Sequence, residues 1–246
     1  MTNSALKIIE VDTYQGLSLA AAKIFIEAVR KKPNLVLGLA TGSSPLGMYQ
    51  EMIADHKQNN TSYEHVRTFN LDEYVGLAAD HSQSYAYFMY ENLFKHLDIL
   101  LENTYIPNGL SESPDQEGAL YEEKIIATGG IDLQILGIGA NGHIAFNEPG
   151  SPFTSRTRLM ELTEDTREAN ARFFNSIDEV PTHALTSGMA TIFDAREIVM
   201  IVSGKSKAEA MKQLLTGEIS EDFPASILHN HPNATVIVDR DALNAE

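Results

Sequence analysis

Short, solid apolar runs alternate along this 246-residue chain with stretches whose apolar residues recur at helical spacing. The solid runs predict strands at Lys7–Val11, Leu35–Ala40, Val66–Leu71, Thr104–Ile106, Ile131–Leu136, Ile198–Val202 and Val236–Val238. The first reads as a short edge strand and the last as the element that closes the chain. Helical spacing predicts helices over Gln15–Arg30, Leu46–Lys57, Ser84–Leu97, Ser113–Ala127, Thr163–Asn175, Thr182–Phe193 and a stretch ending at Leu215. The acidic composition of Ser113–Ala127 predicts a solvated outer face. Strands without polar alternation need cover on both faces. The pattern therefore predicts an α/β fold with a mostly parallel, doubly wound (Rossmann-like) sheet. No repeat, linker or low-complexity tract divides residues 1–246, so one domain is expected.

Composition narrows the function. With 43% hydrophobic residues the chain can bury a large core, which excludes a disordered chain. A formal net charge of −16 opposes nucleic acid and anionic membrane as partners, since phosphate backbones require a basic surface. The absence of cysteine removes disulfides and thiolate catalysis. Glu10 and Asp12 precede any apolar stretch, unlike a signal peptide, and no apolar run approaches a membrane span. A soluble, cytoplasmic protein with a small-molecule substrate is the expectation.

Ligands of open parallel sheets bind at the carboxyl ends of the strands, and four polar groups fall there. Thr41-Gly42-Ser43-Ser44-Pro45 follows the second strand and opens a helix, which makes it either an anion site or a simple turn and cap. Asp72 and Glu73 follow the third predicted strand, as solvated turn residues or, for Asp72, as a functional group at that edge. Asn141, His143 and Glu148 lie on a segment loosened by Gly137, Gly139 and Gly142, and a histidine beside a carboxylate suits proton transfer near neutral pH. Lys205 and Lys207 follow the strand at Ile198–Val202. Gly137-Ile-Gly139-Ala-Asn-Gly142 also matches the dinucleotide fingerprint, but His143 to Gly150 reaches a turn signal too soon for the helix which that fingerprint needs.

Leu39-Ala-Thr-Gly-Ser, Phe69-Asn-Leu-Asp-Glu-Tyr-Val-Gly and Gly137-x-Gly-x-Asn-Gly-His-Ile-Ala-Phe-Asn-Glu-Pro resemble the glucosamine-6-phosphate deaminase family, in the same order over nearly the whole chain. The resemblance implies conversion of glucosamine 6-phosphate and water into fructose 6-phosphate and ammonia, with no metal or organic cofactor. It implies ring opening by His143, grouped with Glu148 and Asn141. Asp72 is implied as the base for the aldose–ketose step. The phosphate is implied on Thr41, Gly42, Ser43 and Ser44, clamped by Arg172 and by Lys207, with Lys205 as the rival lysine. A lid over the sugar is implied near residues 150–180.

Two departures qualify the resemblance. Asn141 stands where many longer members have Asp, and is expected to hold His143 by hydrogen bonding. Met160 replaces the second basic residue after Arg158 at the family's activator site, and the chain stops at Glu246 where regulated members have a longer tail. Hyperbolic kinetics are therefore expected, in a monomer or small homo-oligomer and not the allosteric hexamer. The rival enzyme is a 6-phosphogluconolactonase, which would share the phosphate loop and the Gly-His but not Ala145-Phe-Asn-Glu-Pro. A non-catalytic sugar-phosphate sensor is the rival of another class, and it would normally carry a basic DNA-binding segment, which the charge of −16 opposes.

Overall fold

The structure is a computed structural model and describes residues 6–172 and 174–244. From the N-terminus the chain forms β1 (Lys7–Val11), α1 (Tyr14–Lys31), β2 (Val36–Leu39), α2 (Leu46–Asn59), β3 (Arg67–Asn70), β4 (Asp72–Tyr74), α3 (Tyr85–Asn92), β5 (Thr104–Tyr105) and α4 (Pro114–Ala127). It continues through β6 (Leu133–Leu136), β7 (Arg158–Glu161), α5 (Glu164–Ala171), β8 (His183–Thr186), α6 (Met189–Phe193), β9 (Glu197–Val202), α7 (Ala208–Leu215), β10 (Ala234–Asp239) and α8 (Arg240–Leu243).

Seven strands make a parallel sheet in the order β1-β10-β9-β6-β2-β3-β5. Every position of β2, β6 and β10 is buried, as expected of solid apolar runs covered on both sides. The edge strand β1 instead has only exposed and half-buried positions. Helix α1 packs along α2 and onto β9 and β10. It buries Leu17, Ala21, Phe25 and Val29, spaced by four, and starts at Thr13, whose hydroxyl accepts the Gly16 N–H at 3.1 Å.

A second, antiparallel sheet of three strands runs β4-β8-β7. Leu71 is the pivot between the two sheets. Its N–H donates to Leu39 O on β2 at 3.1 Å, and its carbonyl accepts the Ser187 N–H, just past β8, at 2.7 Å. The main core lies around the large sheet, and a smaller cluster of Tyr74, Phe146, Leu162 and Ala184 lies at the second.

Several expectations are corrected. The single helix expected over Thr182–Phe193 is the strand β8 followed by α6. A short apolar run such as Ala184–Leu185 carries no periodicity to distinguish helix from strand, and its cross-strand partners on β4 and β7 decide the outcome. Gly188 separates the two elements where a Cβ would stand 2.2 Å from Ser155 O. The apolar pattern does not predict β4 and β7, because neither Asp-Glu-Tyr nor Arg-Leu-Met-Glu is a solid apolar run. Helix α4 is not merely a solvated face, since it buries Glu117, Gly118, Tyr121 and Ile125. Strand β10 does not close the chain, since α8 follows it, and it lies inside the sheet. The helix expected to reach Asn175 ends at Ala171, with Arg172 as its cap; Phe173 lies outside the described residues.

Candidate active site

Beyond β6 the chain forms turns and no helix, so the glycine pattern there lacks the helix N-terminus that a pyrophosphate requires. The turns place the His143 ring flat against Gly139, where a Cβ would come within 2.2 Å of the ring. Glycine is therefore required at 139 by close approach.

The side chain of Asn141 joins the other two members of the cluster. Its Oδ1 accepts the backbone N–H of His143 at 3.2 Å and faces His143 Nδ1 at 2.7 Å, and its Nδ2 donates to Glu148 Oε2 at 2.8 Å. A backbone N–H can only donate, which fixes the orientation of the amide. Nδ1 of His143 therefore carries a proton, leaving Nε2 to exchange one with a substrate. Glu148 Oε2 is 3.5 Å from His143 Nδ1, so the direct orienting group is the amide and the carboxylate stands behind it. Glu148 is held down to about 2 by its contact with His143 and by bonds from Asn141 and Thr166, against the opposing effect of burial. It is ionised throughout the neutral range.

Residues 144–147 close a tight turn in which Asn147 N donates to Ile144 O at 3.0 Å. Asn147 is fully buried, and its amide donates to Ile144 O at 3.0 Å and Ser187 O at 2.8 Å while its Oδ1 accepts from Arg158 Nη1 at 2.9 Å. The loop is thereby pinned to the second sheet.

Asp72 opens β4, and its cross-strand partner on β8 is Thr186. Thr186 Oγ1 also accepts the Phe146 N–H at 3.2 Å, joining the Asp72 strand to the loop of His143 and Glu148. Asp72 is only 7% exposed. Burial, assisted by the charge of Glu73, pushes its carboxyl up to about 8. The neighbouring acid has a different task. Glu73 accepts the N–H groups of Tyr74, Tyr85 and Ala86, each at 2.9 Å, and so caps the start of α3. The two acids are indistinguishable in sequence, and the solvated-turn alternative fails for both.

The Thr41–Ser44 turn enters α2 with Gly42 at φ +95°, a left-handed conformation suited to glycine. Tyr14 on α1 shapes this turn: its hydroxyl lies 2.9 Å from Ser43 O and 3.1 Å from Ser44 O and accepts the Gly47 N–H at 2.9 Å. Ser43 and Ser44 line a cavity of about 400 Å³ with Tyr14, Gln50 and Ser203, the last from the segment that leads to the two lysines. Asp239 organises that segment by accepting from Ser203 Oγ and, at 3.1 Å, from Gly204 N. Lys205 is exposed, whereas Lys207 is half-buried and its ammonium is lowered by desolvation. Arg172 is exposed at the end of α5.

Sequence reasoning missed Thr166, Thr186, Tyr14 and the bridging role of Asn147. Only Asn147 lies within a motif; the others sit on elements distant in sequence from the groups they touch. Among the described residues no three His, Asp or Glu side chains converge as a metal site would require.

The chain belongs to the family of glucosamine-6-phosphate isomerases and 6-phosphogluconolactonases, which matches residues 11–237. It is 53% identical to the glucosamine-6-phosphate deaminase of Geobacillus sp. (strain WCH70), over 97% of this chain and 95% of that one. It is 48% identical to glucosamine-6-phosphate deaminase 1 of Bacillus subtilis (strain 168), over 96% of this chain and 98% of that one. Among solved structures it is similar to a monomeric glucosamine-6-phosphate deaminase, with a TM-score of 0.96 and 48% identity over 98% of this chain and 100% of that one. The 6-phosphogluconolactonase of Trypanosoma cruzi shares the fold, with a TM-score of 0.79 at 19% identity over 98% of each chain.

Proposed function

We propose that the chain converts glucosamine 6-phosphate and water into fructose 6-phosphate and ammonia, in the breakdown of amino sugars. The observation that carries this is the pairing of two unlike proton-transfer groups at one sheet edge: a buried carboxyl raised to about 8, and an imidazole held by an amide and an ionised carboxylate. Full-length relatives at about half identity that are named for this reaction support the same reading.

His143 Nε2 is free of the bonds that hold Nδ1, and it exchanges a proton with the ring oxygen and the C1 hydroxyl as the pyranose opens. Asp72 then takes the proton from C2 and returns one to C1, while the aldehyde oxygen gains a proton and the amino group loses one, so that the C1–O double bond is replaced by a C2–N double bond. Water adds to the resulting imine at C2, and the C–N bond breaks to release ammonia. A carboxyl raised toward neutrality is a stronger base when ionised than one in water, which suits removal of a carbon-bound proton.

The phosphate is held by Thr41, Gly42, Ser43 and Ser44 with Lys207, whose half-buried position favours it over exposed Lys205, and with Arg172 from α5. Residues 150–180 are the proposed lid, with α5 as their mobile part, since β7 is built into the second sheet. The protein acts as a monomer in the cytoplasm. Its solved relative is described as monomeric, and no helix among the described residues is long and apolar enough to cross a membrane.

The test is to supply glucosamine 6-phosphate and measure ammonia and fructose 6-phosphate together. Equal yields that vanish in Asp72→Asn support the proposal. Hydrolysis of 6-phosphogluconolactone without ammonia release would overturn it.

A further inference from the structure

The two oxygens of Glu148 are held from different sides. Oε2 accepts from Asn141 at 2.8 Å and lies 3.5 Å from His143 Nδ1, both on its own loop. Oε1 accepts from the hydroxyl of Thr166, on α5, at 2.8 Å. That hydroxyl is not a free rotor. It accepts from Thr163 Oγ1 at 3.0 Å, and Thr163 Oγ1 in turn accepts the Thr166 N–H at 3.2 Å as the N-cap of α5. Each hydroxyl has one proton to give. With the Thr163 proton directed at Thr166, the Thr166 proton goes to the carboxylate. The first turn of α5 is therefore tied to Glu148 by a donor chain that runs one way, while the other end of the same helix presents Arg172. At 1.5 Å rise per residue those two ends are roughly 9 Å apart, within the reach of one sugar phosphate and its neighbouring groups.

We infer that Thr166 is a positioning residue: it couples the seating of α5 to the orientation of Glu148, and through Glu148 to His143. The inference rests on the deaminase reading of the site and adds a route by which the phosphate end of the substrate influences the proton-transfer end. An anion drawn to Arg172 seats α5, and α5 delivers the Thr166 hydroxyl to Oε1. Charge-assisted bonds of this kind are short and directional, so losing one leaves a carboxylate that can rotate away from the amide and imidazole. The groups that face Glu148 are His143 and Asn141 from its own loop and Thr166 from α5.

The test compares Thr166→Val and Thr166→Ser with the wild-type full chain in deaminase kinetics, across about pH 5 to 9, with fructose 6-phosphate binding measured by calorimetry. The expected result for Thr166→Val is a kcat about tenfold lower with KM and product affinity within about threefold. The acid limb of its rate profile stays that of the wild type, because Glu148, held down to about 2, remains ionised across this range and the limb belongs to Asp72. Thr166→Ser, which keeps the hydroxyl, restores kcat. A Thr166→Val enzyme with the wild-type kcat overturns the coupling, as does a Thr166→Ser enzyme as impaired as the valine variant. A wild-type chain with no deaminase turnover overturns the reading of the site itself, a separate failure.

Discussion

Asp72 and Thr186 face one another across the β4–β8 ladder, and the hydroxyl of the same threonine accepts the Phe146 N–H at 3.2 Å. One side chain thus ties the strand of the proposed base to the loop of the histidine proposed to open the ring. Thr186 and Phe146 are both buried. Thr186→Val keeps the shape but leaves that N–H without its acceptor, at a cost of roughly 1–3 kcal/mol. The expected outcome is a melting temperature lower by several degrees, with a fall in kcat larger than any change in KM. Thermal unfolding and steady-state kinetics on one preparation check both.

Asp72→Asn is expected to reduce kcat by roughly a thousandfold or more, since it removes the group proposed to take the C2 proton. Its effect on stability has the opposite sign. The folded carboxyl, at about 8, lies above the ordinary carboxylate range, so between roughly pH 4 and pH 8 the folded chain binds more protons than the unfolded one. Stability therefore declines as pH rises through that window. An amide at this position does not titrate and escapes the decline, so the Asp72→Asn variant should melt higher than wild type at about pH 8 and alike at about pH 4. In the wild type, kcat/KM should rise with pH toward about 8 as the base loses its proton.

Asn141→Asp should retain activity with an altered pH profile. The new carboxylate still accepts from His143 but loses the donor that Nδ2 offers Glu148 Oε2 at 2.8 Å. Two carboxylates at that separation share a proton more readily, which adds a titration on the acid side of the profile. Complete loss of turnover contradicts the role assigned to the amide.

The lysines are separable by substitution. Lys207→Met is expected to raise KM for the sugar phosphate by about tenfold or more, on the order of 1.4 kcal/mol, whereas Lys205→Met leaves it within about twofold. Inhibition by inorganic phosphate, measured on both variants, should follow the same order.

Rate curves are expected to be hyperbolic, and unchanged by an N-acetylated sugar phosphate. The Arg158 guanidinium is half-buried and engaged with Asn147 Oδ1 at 2.9 Å, Arg156 pairs with Asp194 at 2.5 Å, and position 160 is methionine. The basic groups nearest the family's activator site thus serve the fold. Sigmoidal curves that the N-acetyl compound straightens would sink this prediction.

The solid apolar runs at β2, β6 and β9 determined the parallel sheet by themselves, because a strand with no polar face is stable only with cover on both sides. The glycines and the Asn141–His143–Glu148 spacing likewise placed the candidate chemistry, since residues so close together on one turn-rich segment have little choice but to meet. The three-stranded sheet was not legible. Asp72–Tyr74, Arg158–Glu161 and His183–Thr186 are each too short or too polar to announce a strand, and each becomes one only by pairing with the others. That pairing separated the two adjacent acids. Burial raises both carboxyls, but at Glu73 three N–H groups at the start of α3 oppose the rise, whereas Asp72 beside it is pushed up to about 8. The sequence alone thus determined which residue types gather at the sheet edge. Only the tertiary structure decided which of the adjacent carboxyls meets three N–H groups, that Glu148 is held ionised, and that a threonine on α5 reaches it, because desolvation and hydrogen bonding arise between segments distant in the chain.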